Sequence, residues 1–119
     1  MARILVIEDD SSNRALLERI LAAEGHSIVA AENGAVGLAQ LAQNEVDLVV
    51  TDIVMPGIEG VEIIREIRRL LPDMKIIAVS GAHPLYLEAV SRLGANAVLR
   101  KPFRPAELRE IVTRVLSEP

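Results

Sequence analysis

Four short apolar runs in the sequence end in residues that can bind ions or stabilise transferred charge. The polar residues at these run ends are Glu8, Asp9 and Asp10 at the first, Asp52 at the second, Ser80 at the third and Lys101 at the fourth. Carboxylates bind hard cations, whereas a hydroxyl and an ammonium group stabilise phosphoryl oxygens. If the run ends meet in the folded chain, these residues predict a site for a metal ion and a phosphoryl group.

The charges of these residues do not balance. Glu8, Asp9 and Asp52 are three carboxylates, whereas Lys101 supplies a single positive charge. Two like charges roughly 4 Å apart repel by about 4 kcal/mol even at an effective dielectric constant of about 20. A divalent cation would offset this repulsion, and an all-oxygen donor set favours Mg²⁺ or Mn²⁺. Mg²⁺ shares its coordination with phosphate oxygens, so the implied ligand is a phosphoryl group. A carboxylate can itself attack such a group and form an aspartyl-phosphate, and Asp52 is the candidate nucleophile.

The elements that must position these residues alternate along the chain. Apolar runs at 4–7, 27–31, 48–50, 76–79 and 97–99 predict five short buried strands. Apolar residues at helical spacing follow each strand, and Gly25, Pro72 and Gly94 are placed to end the first, third and fourth helices. Strict alternation predicts an α/β fold: a five-stranded parallel doubly wound sheet with the flavodoxin-like order 2-1-3-4-5 and five helices. The carboxyl ends of the strands, where the polar residues lie, then form one crevice.

Composition narrows the class of protein. The 119 residues are half apolar and a quarter charged, which predicts a single domain over 1–119. The absence of cysteine excludes disulfides and thiolate metal sites. A net charge of -4 and two aromatic residues argue against direct nucleic-acid binding, and Arg65, Arg68 and Arg69 are interpreted as a solvated helix face. No signal peptide or membrane span fits the sequence, so the expected location is the cytoplasm.

Four motifs in order resemble the receiver domain of two-component response regulators. The matching segments are residues 4–10, residues 52–60, residues 80–81, and residues 94–95 followed by 101–103. The resemblance covers essentially the whole chain. It implies that Asp52 accepts a phosphoryl group from a histidine kinase or a histidine phosphotransfer protein.

The resemblance also implies roles for the other site residues. The metal ligands it implies are Glu8, Asp9, Asp52 and the carbonyl of Val54. Ser80 and Lys101 are implied to contact the phosphoryl group, and the Lys101–Pro102 bond is often cis in the family. Asp10 is expected to cap the first helix instead of binding metal.

The sequence departs from the family at Val98. In the family an aromatic residue occupies this position and moves inward when the hydroxyl at the position of Ser80 approaches the phosphate. We therefore expect the signal to leave through the loop after Ser80 and the face of helix four, strand five and helix five, changing the binding of a downstream protein target. By resemblance, the kinase is expected to dock near Asn13, Arg14, Phe103 and Arg104.

Two other functions compete with the phosphorylated switch. Metal-dependent phosphatases and phosphotransferases with an aspartyl intermediate usually need a second carboxylate two residues after the nucleophile. That position is Val54, so the chain is not expected to be an enzyme that turns over an outside substrate. The alternative is a phosphate-independent receiver-like binding module, which the complete acidic set and Lys101 oppose.

Overall fold

The computed structural model describes residues 1–53, 59–81, 88 and 90–119. Its strands are β1 (Arg3–Ile7), β2 (Ser27–Ala31), β3 (Leu48–Asp52), β4 (Lys75–Ser80) and β5 (Ala97–Arg100). They form one parallel sheet in the order β2-β1-β3-β4-β5. The predicted flavodoxin-like sheet is confirmed.

Helices connect the strands at the predicted places. They are α1 (Ser11–Ala23), α2 (Gly34–Gln43), α3 (Glu59–Leu70), α4, which is described at residues 88 and 90–92, and α5 (Pro105–Ser117). The Asp10 side chain accepts a 2.9 Å hydrogen bond from the Asn13 amide, so its predicted role as the cap of α1 is confirmed. Gly25 and Gly94, which follow α1 and α4, have φ of 91° and 120°, where a side chain would be strained.

The sheet is covered on both faces, as its continuous apolar strands require. One face packs against α1 and α5 through Ile4, Val6, Val50, Val79, Leu17, Leu21, Leu108 and Val112. The other face packs against α3 and α4 through Leu5, Ile7, Val49, Ile76, Ile64, Ile67 and Val90. Adjacent strand residues therefore enter opposite cores, and both cores fix the strand ends.

The structure corrects the interpretation of Arg68 as part of a solvated face. Its guanidinium donates to the carbonyl oxygen of Gly94 from Nε at 3.0 Å and from Nη2 at 2.7 Å. Nη2 also donates to Asn96 Oδ1 at 2.8 Å. Arg65 and Arg69, by contrast, are exposed and form ion pairs within α3. Helical periodicity shows which side a residue faces, but a long side chain can fold back to bind a distant carbonyl.

Some sequence-based expectations lie outside the described residues. These are the Val54 carbonyl and the loop after Ser80, at 82–87. Within the part of the chain that the structure describes, no helix is both long and apolar enough to cross a membrane.

Candidate functional site

The carboxyl ends of β1 and β3 place two carboxylates side by side. Ile7 pairs with Thr51, so the following residues, Glu8 and Asp52, emerge next to each other. The Glu8 amide donates to the Ala31 carbonyl at 3.0 Å, which continues the pairing of β1 with β2 by one residue. Both acidic residues are buried, with exposed fractions of 0% for Glu8 and 4% for Asp52. Backbone pairing therefore fixes two carboxylates at the switch point of the sheet.

Asp9 completes an acidic cluster with these two residues. One carboxylate oxygen each from Glu8, Asp9 and Asp52 lies within 4.8 Å of the others. Asp9 is exposed, so the cluster is open to solvent on one side. An all-carboxylate donor set of this spacing suits a hard divalent cation, and the three residues together fit a metal site.

Lys101 lies directly against the acidic cluster. Its Nζ donates to Asp52 Oδ2 at 2.7 Å and to Glu8 Oε1 at 2.9 Å. The Lys101 amide donates to the Ser80 carbonyl at 2.9 Å, which places the residue one step beyond β5, and the Lys101–Pro102 bond is cis. Burial alone would lower the pKa of Lys101, but the hydrogen bonds to Asp52 and Glu8 and their charges outweigh it and raise the pKa. The side chain therefore stays positively charged.

One ammonium group does not neutralise this cluster. The pKa of Glu8 is raised from its ordinary 4.5 to about 7. Burial is the main cause, and the charge of Asp52 and a hydrogen bond with Asp9 act in the same direction, whereas the hydrogen bonds from Lys101 and from the Asp10 amide oppose them. The charged form of Glu8 is thus disfavoured although a lysine touches it. Additional positive charge at the cluster would relieve this cost, which is what a bound divalent cation supplies.

Ser80 and an adjoining cavity extend the site. Asp52 pairs with Val79, so the next residue, Ser80, ends the neighbouring strand close to the cluster and is fully buried. A cavity of about 360 Å³ adjoins Glu8 and Lys101, and its apolar lining comes from Leu16, Leu17, Pro102 and Phe103. Leu16, which lines this cavity, is 42% exposed.

One contact of the site has no counterpart in the sequence-based prediction. The Arg14 guanidinium donates from Nη1 to the Glu8 carbonyl at 2.8 Å, whereas the sequence suggested only a docking role for Arg14. The only signal in the sequence is the position of an arginine in the first turn of the helix that follows the acidic run.

Comparison with known proteins defines the class to which this fold and site belong. The family model of the response regulator receiver domain matches residues 4–113. The chain belongs to this family, whose members are the receiver domains of response regulators in two-component systems.

Individual relatives differ in how much of their length the chain covers. The chain is 35% identical over 116 residues to the response regulator receiver protein CpdR of Brucella abortus, covering 97% of this chain and 94% of CpdR. It is 36% identical over 118 residues to the DNA-binding transcriptional regulator NtrC of Azospirillum brasilense, covering 98% of this chain and 24% of NtrC. The chain thus spans about a quarter of NtrC.

Solved structures share the fold over almost the whole chain. The response regulator protein TrrA of Thermotoga maritima, in complex with Mg²⁺-BeF, has a TM-score of 0.87 and 40% sequence identity, with 97% of this chain and 99% of TrrA covered. A response regulator receiver domain protein of Clostridium thermocellum has a TM-score of 0.90 and 30% identity, with 98% and 94% of the two chains covered.

Proposed function

We propose that residues 1–119 form a single receiver domain that works as a phosphoacceptor switch, with Asp52 as the acceptor. The donor is the phosphohistidine of a histidine kinase or of a histidine phosphotransfer protein. The observation that carries this proposal is the contact of Lys101 Nζ with both Asp52 and Glu8 at the edge of the acidic cluster. This arrangement places a carboxylate nucleophile beside a fixed positive charge.

The transfer is an exchange of one phosphorus bond for another. A carboxylate oxygen of Asp52 attacks phosphorus, the phosphorus–nitrogen bond of the phosphohistidine breaks, and its electron pair leaves with the imidazole nitrogen. Lys101 offsets negative charge on the phosphoryl oxygens, and the Ser80 hydroxyl donates a hydrogen bond to one of them. Sheet pairing fixes the backbone of Asp52, and the hydrogen bonds of Lys101 Nζ hold that side chain beside Asp52 before the donor arrives, so little reorganisation of these two groups opposes the reaction.

Glu8, Asp9 and Asp52, with the Val54 carbonyl, would hold Mg²⁺ or Mn²⁺. The bound ion supplies positive charge that the phosphoryl oxygens and the carboxylates share. Two findings support this assignment: the three carboxylates lie within 4.8 Å of one another, and the similar TrrA structure is in complex with Mg²⁺-BeF.

Partner binding would use two faces of the domain. The donor docks beside the site, near Asn13, Arg14, Phe103 and Arg104, where the apolar cavity can accept a side chain from the donor protein. The response to phosphorylation reaches a downstream protein target through α4, β5 and α5. Val98 is half-buried and packs on the α3 side of the sheet, so this response is a change of packing at that face.

Incubation with Mg²⁺ and a small-molecule phosphodonor, followed by intact mass measurement, tests the proposal. We expect one phosphate per chain in the wild type and none in Asp52→Asn, whereas the matched control Asp73→Asn, at an exposed aspartate, is phosphorylated normally. No uptake by the wild type would support the phosphate-independent module. Continuous release of many phosphates per chain would support an enzyme.

A further inference from the structure

Arg14 reaches back from the first turn of α1 to the loop that precedes the helix. Its Nη1 donates to the Glu8 carbonyl at 2.8 Å, and the residue is half-buried. With this bond, every polar atom of Glu8 has a protein partner. The amide donates to Ala31, the carbonyl accepts from Arg14, Oε1 accepts from Lys101, and Oε2 accepts from the Asp10 amide.

The Glu8 carbonyl also controls the orientation of Asp9. The carbonyl of Glu8 and the amide of Asp9 belong to one planar peptide group, so a donor fixed on the carbonyl fixes the rotation of that group. The peptide group on the other side of Asp9 is held as well, because the Asp10 amide donates to Glu8 Oε2 at 3.3 Å. With both flanking peptide groups tied to Glu8, the direction in which the Asp9 side chain leaves the backbone is restricted. Asp9 is exposed, whereas Glu8 and Asp52 are buried, so packing holds Asp9 less than the other two carboxylates.

We propose that Arg14 is a positioning residue that aims Asp9 at the metal site through the Glu8 carbonyl. The inference rests on the proposed function, because it concerns the metal affinity of the same acidic cluster. A positive guanidinium near the cluster would, through its charge alone, weaken the binding of a cation. Positioning of Asp9 by Arg14 would instead strengthen cation binding, so the two effects of Arg14 can be separated by experiment.

Titration calorimetry with Mg²⁺ alone, on the unphosphorylated chain, measures the predicted effect. We expect Arg14→Gln to raise the Mg²⁺ dissociation constant about tenfold, since loss of an outer-shell partner typically weakens metal binding by about that factor or more. Arg14→Lys keeps the charge but replaces the planar donor, and we expect a smaller rise. The matched control Arg19→Gln removes the same charge from an exposed position of α1 and should leave the dissociation constant unchanged.

A second measurement detects the positioning without any metal. In Mg²⁺-free solution, the amide resonance of Asp9 should shift in Arg14→Gln and stay in place in Arg19→Gln. Tighter Mg²⁺ binding by Arg14→Gln, or unchanged binding by both Arg14 variants, would overturn the inference while leaving the proposed function intact. Absence of Mg²⁺ binding by the wild type would overturn both.

Discussion

The two ends of the sheet use charged side chains in opposite ways. At the amino end, Lys75 Nζ donates to the Leu116 carbonyl at 3.0 Å, and Arg68 binds the Gly94 carbonyl. These cations meet neutral backbone acceptors. At the carboxyl end, the described residues cluster three carboxylates, and the ammonium group of Lys101 contacts two of them, Glu8 and Asp52.

This difference separates charged groups whose partners are already in the fold from charged groups that fit a ligand site. A charge that binds backbone carbonyls ties two elements together, and it stabilises the fold without needing a ligand. Clustered carboxylates with incomplete neutralisation destabilise the fold until a cation binds. Removing the charge of Arg68 at the amino end and that of Glu8 at the carboxyl end should therefore change the free energy of unfolding in opposite directions.

The largest expected effect tests the cost of charge at the carboxyl end. Because the pKa of Glu8 is raised from 4.5 to about 7 in the folded chain, the folded state keeps a proton that the unfolded state has lost in this interval. Rising pH should therefore lower the free energy of unfolding. One pKa unit corresponds to about 1.4 kcal/mol, so the Glu8 contribution is on the order of a few kcal/mol.

Denaturant unfolding with a chelator present measures this effect. Glu8→Gln should become more stable relative to the wild type as the pH rises from 4.5 to above 7, whereas Glu110→Gln, at an exposed site on α5, should not. A constant difference between Glu8→Gln and the wild type at all pH values would show that the carboxyl end carries no such cost.

An intermediate effect tests how rigidly the backbone holds Asp52. A Cβ on Gly60 would lie 2.1 Å from the Ile53 carbonyl oxygen, so Gly60→Ala forces the backbone next to Asp52 to move. We expect it to lower the free energy of unfolding by about 3 kcal/mol, the upper part of the range for overpacking. It should also weaken Mg²⁺ binding. In the matched control Gly81→Ala, the nearest atom to the added Cβ is Lys101 Cβ at 3.8 Å, which is an ordinary contact distance. Gly81→Ala should therefore lower the free energy of unfolding by no more than about 0.5 kcal/mol. Equal stability of both variants in thermal unfolding would argue against a fixed backbone here.

The smallest expected effect tests the amino end. Arg68→Ala leaves the Gly94 carbonyl and Asn96 without their charged donor and should cost about 2 kcal/mol, the typical value for hydrogen bonds to charged groups. Arg69→Ala removes only an exposed ion pair within α3 and should cost at most about 0.5 kcal/mol. Neither variant should change Mg²⁺ affinity. Reduced Mg²⁺ affinity in Arg68→Ala would contradict the prediction that contacts at the amino end stabilise the fold without affecting the metal site.

The fold was predictable because its signals are local. Strands buried on both faces are continuous apolar runs, and Gly25 and Gly94 follow the first and fourth helices with the positive φ that favours glycine. The predicted strands miss only terminal residues such as Arg3, Lys75 and Arg100. Polar residues at strand ends are harder to assign to a strand from the sequence, because an apolar run marks only the buried middle of the strand.

The site was predictable only in part. Parallel topology puts all strand ends at one edge, so the meeting of Glu8, Asp9 and Asp52 followed from strand order. The contacts of Arg14 and Arg68 did not follow. Each depends on how a flexible side chain bends toward a backbone carbonyl, and a sequence pattern contains no information on that path.

Asn96 shows how a residue at one end of a strand determines geometry at the other. It pairs with both polar groups of Ile76: its amide donates to the Ile76 carbonyl at 2.8 Å, and its side-chain oxygen accepts from the Ile76 amide at 2.9 Å. These two hydrogen bonds fix the register of β5 against β4. A slip of one residue would displace Lys101 by about 3.3 Å and turn its side chain to the opposite face. The register fixed at Asn96 thus places Lys101, five residues later, beside the carboxylates of Glu8 and Asp52.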